Sequence, residues 1–581
     1  MRNQILKDAA RALSLANLFF TSQWIALLDI NHFWFGKFSL FSFKNILALL
    51  VNVCLFGALL FAAMQLFRRS KNDRLLQTGR LLFSLLFFLF AAVAILPQLF
   101  GKDFSFQTAL LRSVGYFNLT ELRALGTLIT ASTALLLKHR LRYGIGIFAG
   151  AIFWLAIKTE FLIALTILLI AVSLVFIWLR HHIVKVTPVL TLILFPFFIW
   201  TSAQGIYLMS KSFTHPQATR NAAAPSSQRV VWIVFDGLDY SQSFGKRAAT
   251  LNLPAFDGLR QQAVSAKNAY PPAGFTLMSI PALFTGRLVS KVRPASPADM
   301  LINFDGANES QSLAAESTVF SDAYELNYRT ALAGWAIPYH RIFGKQLTSG
   351  FGQEVRDENL LHNMWGHFRR AIENLPGFPG LKAMDSMQNK WERQEHCNGY
   401  RNILQAAKPM AANSDYGLVF IHLPVPHPPG IYDREKAAFE LDEESCYLDN
   451  LALADKALGA VREAMEDAGE WDKSTVIVSS DHWWRPYIWK PTPYWTKADD
   501  EVIESVENVD HRIPFMVKLP GQKVSMEYEP AFNTVLTRNF IATLLRNQLH
   551  SAENVKAWLD ENRSIAESPY AFEKIPEGST P

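Results

Sequence analysis

VVWIVFDGLDYS, residues 230–241, is a run of β-branched and apolar residues that stops at a carboxylate, Asp236. A second run, VIVSSDHWW at 476–484, ends in the adjacent pair Asp481 and His482. Continuous apolar runs of this length read as strands buried on both faces. In open α/β sheets, ligands sit outside the carboxyl ends of the strands. Two carboxylates and an imidazole gathered there make a cation site. Mixed oxygen and nitrogen donors favour zinc, and a carboxylate-dominated set favours manganese. Between the runs lies GFTLMSIPALFTGR, 274–287, where Thr276 opens an apolar helical run behind Pro271, Pro272 and Gly274. A threonine at a helix start is normally a cap. The same position favours anions, and a hydroxyl held there beside a cation can attack phosphorus. The residues alone leave both readings open.

Working outward, strands are expected at 230–235, 330–334, 416–422, 475–480 and 513–518, and helices at 276–285, 309–316, 321–327, 397–408 and 445–467. Strands alternating with helices predict an α/β domain with a mostly parallel sheet. It begins at residue 229 and runs to 581, behind a small, polar, Pro-containing linker over 210–228 that includes KSFTHPQATRNAAAPSSQ. HNMWGHFRRAIENL, 362–375, is amphipathic and reads either as an ordinary surface helix or as one lying on a membrane.

The residues before the linker are of another kind. Half of the 581 residues are hydrophobic and only 18% are charged, and the shortage of charge lies almost wholly before residue 210. A bilayer takes about 20 apolar residues per helix. Apolar runs at 13–31, 44–66, 81–99, 121–137, 143–157, 161–179 and 187–209 give a transmembrane domain of about seven helices over 1–209. Basic residues mark cytoplasmic loops. Arg68, Arg69, Lys71, Arg74 and Arg80 follow the second run, Lys138, Arg140 and Arg142 the fourth, and Arg180 and Lys185 the sixth; the N-terminus adds Arg2, Lys7 and Arg11. Seven spans put all of these on one side. The N-terminus is then inside, and the C-terminal domain faces the periplasm or exterior of a cytoplasmic (inner) membrane. Those loops also explain the net charge of +5. No basic stripe with interleaved aromatics occurs, so nucleic acid is not an expected partner. Three cysteines are too few for a disulfide scaffold, and Cys397 and Cys446 would either pair or remain buried thiols.

The Asp of VFDG, the Thr of FTLMSIPALFTGR and the Asp-His of SSDH, in this order over roughly 229–545, resemble the alkaline phosphatase/sulfatase superfamily. A multi-span region ahead of them is most similar to its membrane-bound phosphoethanolamine and phosphoglycerol transferases. The resemblance implies a sulfatase-like extracytoplasmic catalytic domain. It also implies a primary metal site of Asp236, Thr276, Asp481 and His482, and a transferred group carried covalently on Thr276. Relatives place histidines like His427, in IHLPVPHPPG, and His511, in VDHRIPFMV, on a second metal or the substrate phosphate. His422 is expected to pack in its strand, Asp449 and Asp455 to be structural, and Arg287 to brace its loop. Formylglycine sulfatases need Cys or Ser with Pro two residues on and Arg four on. Here Thr276 is followed by Met278 and Ile280, which excludes that chemistry. Two departures stand out: Asp236 sits where the membrane transferases usually have Glu, and Trp483 where they have Gly. Trp483 and Trp484 could stack on a sugar.

The expected activity is transfer of a phospholipid head group, through phosphothreonine, to a periplasmic or surface glycan or lipid-linked glycan. Hydrolysis of the same bond to water is the alternative. A non-catalytic envelope assembly protein with no bound metal is the reading from another class.

Overall fold

The computed structural model describes residues 2–28, 43–70, 72–100, 182–211, 228–296, 299–353, 360–373, 382–441, 444–504 and 511–563. The chain forms two compact units.

The larger unit, the one expected to be catalytic, takes in 29–43, 209–357 and 382–581. Its main sheet is built from β1 (Val230–Asp236), β2 (Val264–Tyr270), β3 (Thr330–Gly334), β4 (Ser349–Gly352), β5 (Leu418–Pro426), β6 (Thr475–Ser480), β7 (Ile513–Lys518), β8 (Met526–Tyr528) and β9 (Phe532–Asn533). The order is β8-β2-β7-β6-β1-β5-β3-β4, with β9 also on β2. β1 lies parallel between β6 and β5, so it is central, and only the pairs β6–β7 and β7–β2 are antiparallel. Period-two geometry divides β1 between two cores. Val230, Trp232 and Val234 enter one, with Phe284, Phe320 and Phe420; Val231, Ile233 and Phe235 enter the other, with Phe256, Leu451 and Val461. Because both faces are covered, β1, β5 and β6 are fully buried, and the run of apolar residues follows from that. α5 (Thr276–Thr285), numbered after the four helices of the other unit given below, packs on the Trp232 side of the sheet.

The expected helix over 309–316 is not there: Gln311–Ser312 instead adds a short strand to a three-stranded sheet with Val289–Ser296 and Asp299–Phe304. The other expected strands and helices appear, with ends shifted by a few residues, except that 397–408 belongs to the longer helix Lys382–Ala412. Cys397 and Cys446 are buried and unpaired. Asp449 completes a capping box at the start of Tyr447–Asp467 and pairs with Arg434. Asp455 accepts the amides of Ala255 and Phe256 at a helix start. Both aspartates are therefore structural. Arg287 braces its loop, as expected, with its guanidinium 3.4 Å from the Phe304 ring centroid.

The other unit takes in 1–28, 44–208 and 358–381. The division therefore departs from an unbroken catalytic segment after residue 229, since 358–381 returns to this unit. Among the described residues, three segments are long and apolar enough to cross a membrane: Phe43–Arg69, Asp73–Ile95 and His182–Ser210. These coincide with the expected second, third and seventh spans. Over the first span, 13–31, the helix starts at Arg2 and breaks at Phe20, giving α1 (Arg2–Phe19) and α2 (Thr21–Leu28). The runs at 121–137, 143–157 and 161–179 lie outside the described residues. We label Phe43–Arg69 α3 and Asp73–Phe100 α4. Small residues allow close approach: a Cβ on Gly57 would lie 2.8 Å from Leu13, and one on Gly205 would lie 3.1 Å from Trp24. Asp8 of α1 is fully buried and pairs with Arg68 at 2.6 Å and Arg11 at 3.2 Å, with Gln4 and Gln65 also donating to it.

Candidate metal centre and nucleophile

The carboxyl ends of β1 and β6 are neighbours, so Asp236 and the Asp481-His482 pair emerge side by side. Gly237 follows Asp236 at φ +75, a turn that glycine makes without strain. Its amide donates to Asp481 Oδ1 at 3.0 Å, as does the amide of His482 at 2.8 Å. Ser480 Oγ accepts from Leu238 N and donates to the carbonyl of His482, tying the two strand ends together. α5 delivers Thr276 to the same point. Phe275, not Thr276, is the N-cap of α5, and no side chain caps it. The capping reading therefore fails, and the Thr276 hydroxyl is free for other partners. It lies 3.2 Å from His482 Nε2 and 3.4 Å from Asp236 Oδ2.

Asp236, Asp481 and His482 each turn one ligand atom to a common point, within 4.8 Å of one another, and all three are buried. Asp236 Oδ1 and Asp481 Oδ2 are enclosed and accept no hydrogen bond. Burial, held down in part by Arg485, pushes the Asp236 carboxyl up to about 7. Burial and the neighbouring Asp236 charge push Asp481 up to about 6. Burial and Arg485 hold His482 down to about 4. His482 Nδ1 faces the carbonyl of Trp483 at 2.8 Å. A carbonyl only accepts, so Nδ1 carries the proton and Nε2 presents a lone pair toward Thr276. Two converging unpaired carboxylate oxygens and one unprotonated imidazole nitrogen fit a divalent cation.

The remaining expected residues fall in different places. His427 packs edge-on to Trp335 at 5.2 Å and Trp489 at 4.8 Å, with His396 6.2 Å away. Burial first, then His396, Arg485 and His482, hold its imidazole well below the usual range. It lies within the field of the centre without joining the three-residue group. The His511 ring packs, tilted by 36°, with its centroid 4.3 Å from that of Trp483, and also stays out of that group. Trp483 is 1% exposed, and Trp484, 4% exposed, is sandwiched between Tyr447 and Trp495 at 4.4 and 5.8 Å. Neither indole offers a face to a sugar, so the stacking expectation is corrected to core packing.

Two neighbours of the centre escape sequence reasoning. His422 is a packed strand residue, yet its Nε2 stands 3.8 Å from Asp236 Oδ2 while Nδ1 bonds the buried Tyr339 hydroxyl at 2.8 Å. Its strand position hid this, because on a strand buried on both faces any side chain reads as packing. Arg485 is buried beside the centre. Its Nη1 donates to the Gly274 carbonyl at 2.6 Å, its guanidinium carbon lies 4.5 Å from the Phe275 ring centroid, and Nε has no partner. A basic residue four positions beyond Asp481 was the available signal. Gly274 itself touches the site's frame, since a Cβ there would come within 2.8 Å of Trp483.

The family model described as Sulfatase matches residues 228–546. No curated protein matches by sequence. Similar solved structures include the lipoteichoic acid synthase LtaP from Listeria monocytogenes, 13% identical, covering 57% of this chain and 77% of that one at a TM-score of 0.35. Phosphonate monoester hydrolase of Agrobacterium radiobacter is 13% identical, with 55% and 74% covered at 0.33. The PsFucS1 sulfatase from Pseudoalteromonas sp. is 14% identical, with 56% and 68% covered at 0.34.

Proposed function

The chain belongs to the sulfatase family, whose members are metal-dependent enzymes, and on that footing we propose that it is a membrane-anchored phosphotransferase using Thr276 as nucleophile. The observation that carries the reading is the Thr276 hydroxyl, 3.2 Å from His482 Nε2 and 3.4 Å from Asp236 Oδ2, where formylglycine sulfatases carry a cysteine or serine. Asp236, Asp481 and His482 would hold the cation, with Thr276 completing the set. When bound, a divalent cation, zinc by its donor set, lowers the pKa of a hydroxyl and offsets charge on phosphoryl oxygens. Asp236 and His482 offer acceptors for the Thr276 proton. Thr276 Oγ1 forms a bond to the phosphorus of a phospholipid phosphodiester, phosphoethanolamine or phosphoglycerol in type. The bond to the diacylglycerol oxygen breaks, and that oxygen leaves with a proton. The hydroxyl of an extracytoplasmic glycan or lipid-linked glycan then attacks the phosphothreonine and restores Thr276. Arg485, cationic and buried beside the carboxylates, favours the anionic group as it approaches. The three helices among the described residues that are fit to cross a membrane suit a donor drawn from lipid. The catalytic unit would face the periplasm or exterior.

Purified full-length protein loaded with zinc and incubated with phosphatidylglycerol or phosphatidylethanolamine should carry a head-group adduct on Thr276 by mass spectrometry, and Thr276→Ala should carry none. An unmodified Thr276 alongside full product release would sink the covalent route. Head-group release that is unchanged by an added glycan acceptor would make the enzyme a hydrolase.

A further inference from the structure

Residues 358–381 belong to the membrane unit although the sequence on either side belongs to the catalytic unit. Their helix, α6 (Leu360–Glu373), has two opposed faces. Asn363 and His367, four residues apart, are buried at 6% and 2%. Leu361 and Trp365, also four apart and two positions out of step, are exposed at 74% and 46%. Two positions along an α-helix turn about 200°, so the second pair points away from the first.

The buried face meets α3. His367 Nε2 lies 2.8 Å from Asn45 Oδ1, and Asn52 Nδ2 donates to the Met364 carbonyl at 2.7 Å. Asn45 and Asn52 lie in the first turns of an apolar membrane-crossing helix, and both are buried. An amide facing hydrocarbon without a partner is strongly unfavourable. α6 supplies the partners, so it is a resident part of the span's surface rather than a loop that happens to pass it. Arg68 and Arg69 close the opposite end of α3. By the bias of basic residues to the cytoplasmic side, the end that α6 covers is the outer one.

From this we infer that α6 is an interfacial helix whose outer face, Leu361 and Trp365, is covered by the outer leaflet of a phospholipid bilayer. The occupant follows from continuity: α6 is fixed to the first three turns of a span, at the depth where lipid already surrounds the neighbouring apolar surface. Tryptophan and leucine on one face of a short amphipathic helix suit the boundary between head groups and acyl chains. The inference rests on the membrane-crossing reading of α3 and needs nothing from Thr276.

The test uses full-length protein in phospholipid nanodiscs. Cys54 is replaced by Ser, and the buried Cys397 and Cys446 remain. A single cysteine is placed by Leu361→Cys or Trp365→Cys and labelled with an environment-sensitive fluorophore; both positions are exposed, so folding is not at stake. Glu435→Cys, on the exposed surface of the catalytic unit, is the control. Phospholipid with a spin label high on the acyl chain should quench the probes at 361 and 365 and shift their emission to the blue, leaving 435 unchanged. Quenching at 361 and 365 no greater than at 435 overturns the inference, whether water or another protein covers that face. Because the readout needs no turnover, the outcome is independent of the phosphothreonine reaction.

Discussion

Two buried carboxylate clusters behave in opposite ways. In the membrane unit, Asp8 is fully enclosed and receives Arg68, Arg11, Gln4 and Gln65. In the catalytic unit, Asp236 and Asp481 are just as enclosed, yet each keeps an oxygen that nothing protonated approaches within a hydrogen bond. A buried charge is tolerated when it is paired. Asp8 is paired within the protein and therefore ties α1 to α3. The other two carboxylates lack such partners and face each other, which disfavours the apo state and favours a cation. The contrast separates a structural carboxylate from a candidate ligand without reference to any relative.

The contrast can be broken most directly at the ligands. Asp481→Asn should abolish retention of the divalent ion, read by elemental analysis after gel filtration. It should leave the apo melting temperature unchanged or raised, because it removes like-charge repulsion. Asp8→Ala should act in reverse, with metal content intact and stability lowered by about 1–3 kcal/mol, since Arg11 and Arg68 lose their carboxylate and both retain some solvent. Equal loss of metal in both variants would erase the distinction.

Arg485 sharpens it. Arg485→Gln should lower turnover by about 10²-fold with metal content kept, the scale of losing one preorganised charge stabiliser. Wild-type turnover would reduce it to a loop brace. Proton competition gives a smaller effect. Asp236 takes up a proton as pH falls through about 7, and Asp481 does so through about 6. A cation must displace those protons, so its affinity should fall as pH drops from 8 to 5, by up to about tenfold per unit for each proton released. His482, held down to about 4, adds nothing in that range. Calorimetric titration in two buffers of different ionisation heat would detect the protons, and a flat profile would contradict the paired carboxylates. The smallest expected change is Tyr339→Phe, which removes the hydroxyl bonded to His422 and should cost about 1 kcal/mol of stability.

The central strands were legible because burial on both faces demands unbroken apolar runs, and β1, β5 and β6 have them. So were the strand-end Asp236 and Asp481-His482, since strand ends are where a sheet exposes side chains to a ligand. β2, VSAKNAY, was not found: three of its residues are only partly buried, and its polar letters hide the period. The expected helix at 309–316 failed because the backbone there pairs in a small antiparallel sheet that local composition does not encode. Trp483 and Trp484 looked available because the sequence does not reveal that Tyr447 and Trp495 close around one and His511 covers the other. The return of 358–381 to the membrane unit left two sequence traces, the amphipathic stretch 362–375 and the pair Asn45 and Asn52, two amides seven positions apart on an otherwise apolar helix.

One short peptide, 481–485, does two jobs at once. Its first two residues face the candidate cation position, while its third and fifth grip the backbone just before Thr276, the proposed nucleophile, Trp483 by filling the space beside Gly274 and Arg485 by holding that residue's carbonyl. The distance between the Asp481-His482 pair and Thr276 is thereby written into a single run of five amino acids. Lengthening that run by one residue, or giving position 274 even a methyl group, would detune the reaction without touching any atom that takes part in it.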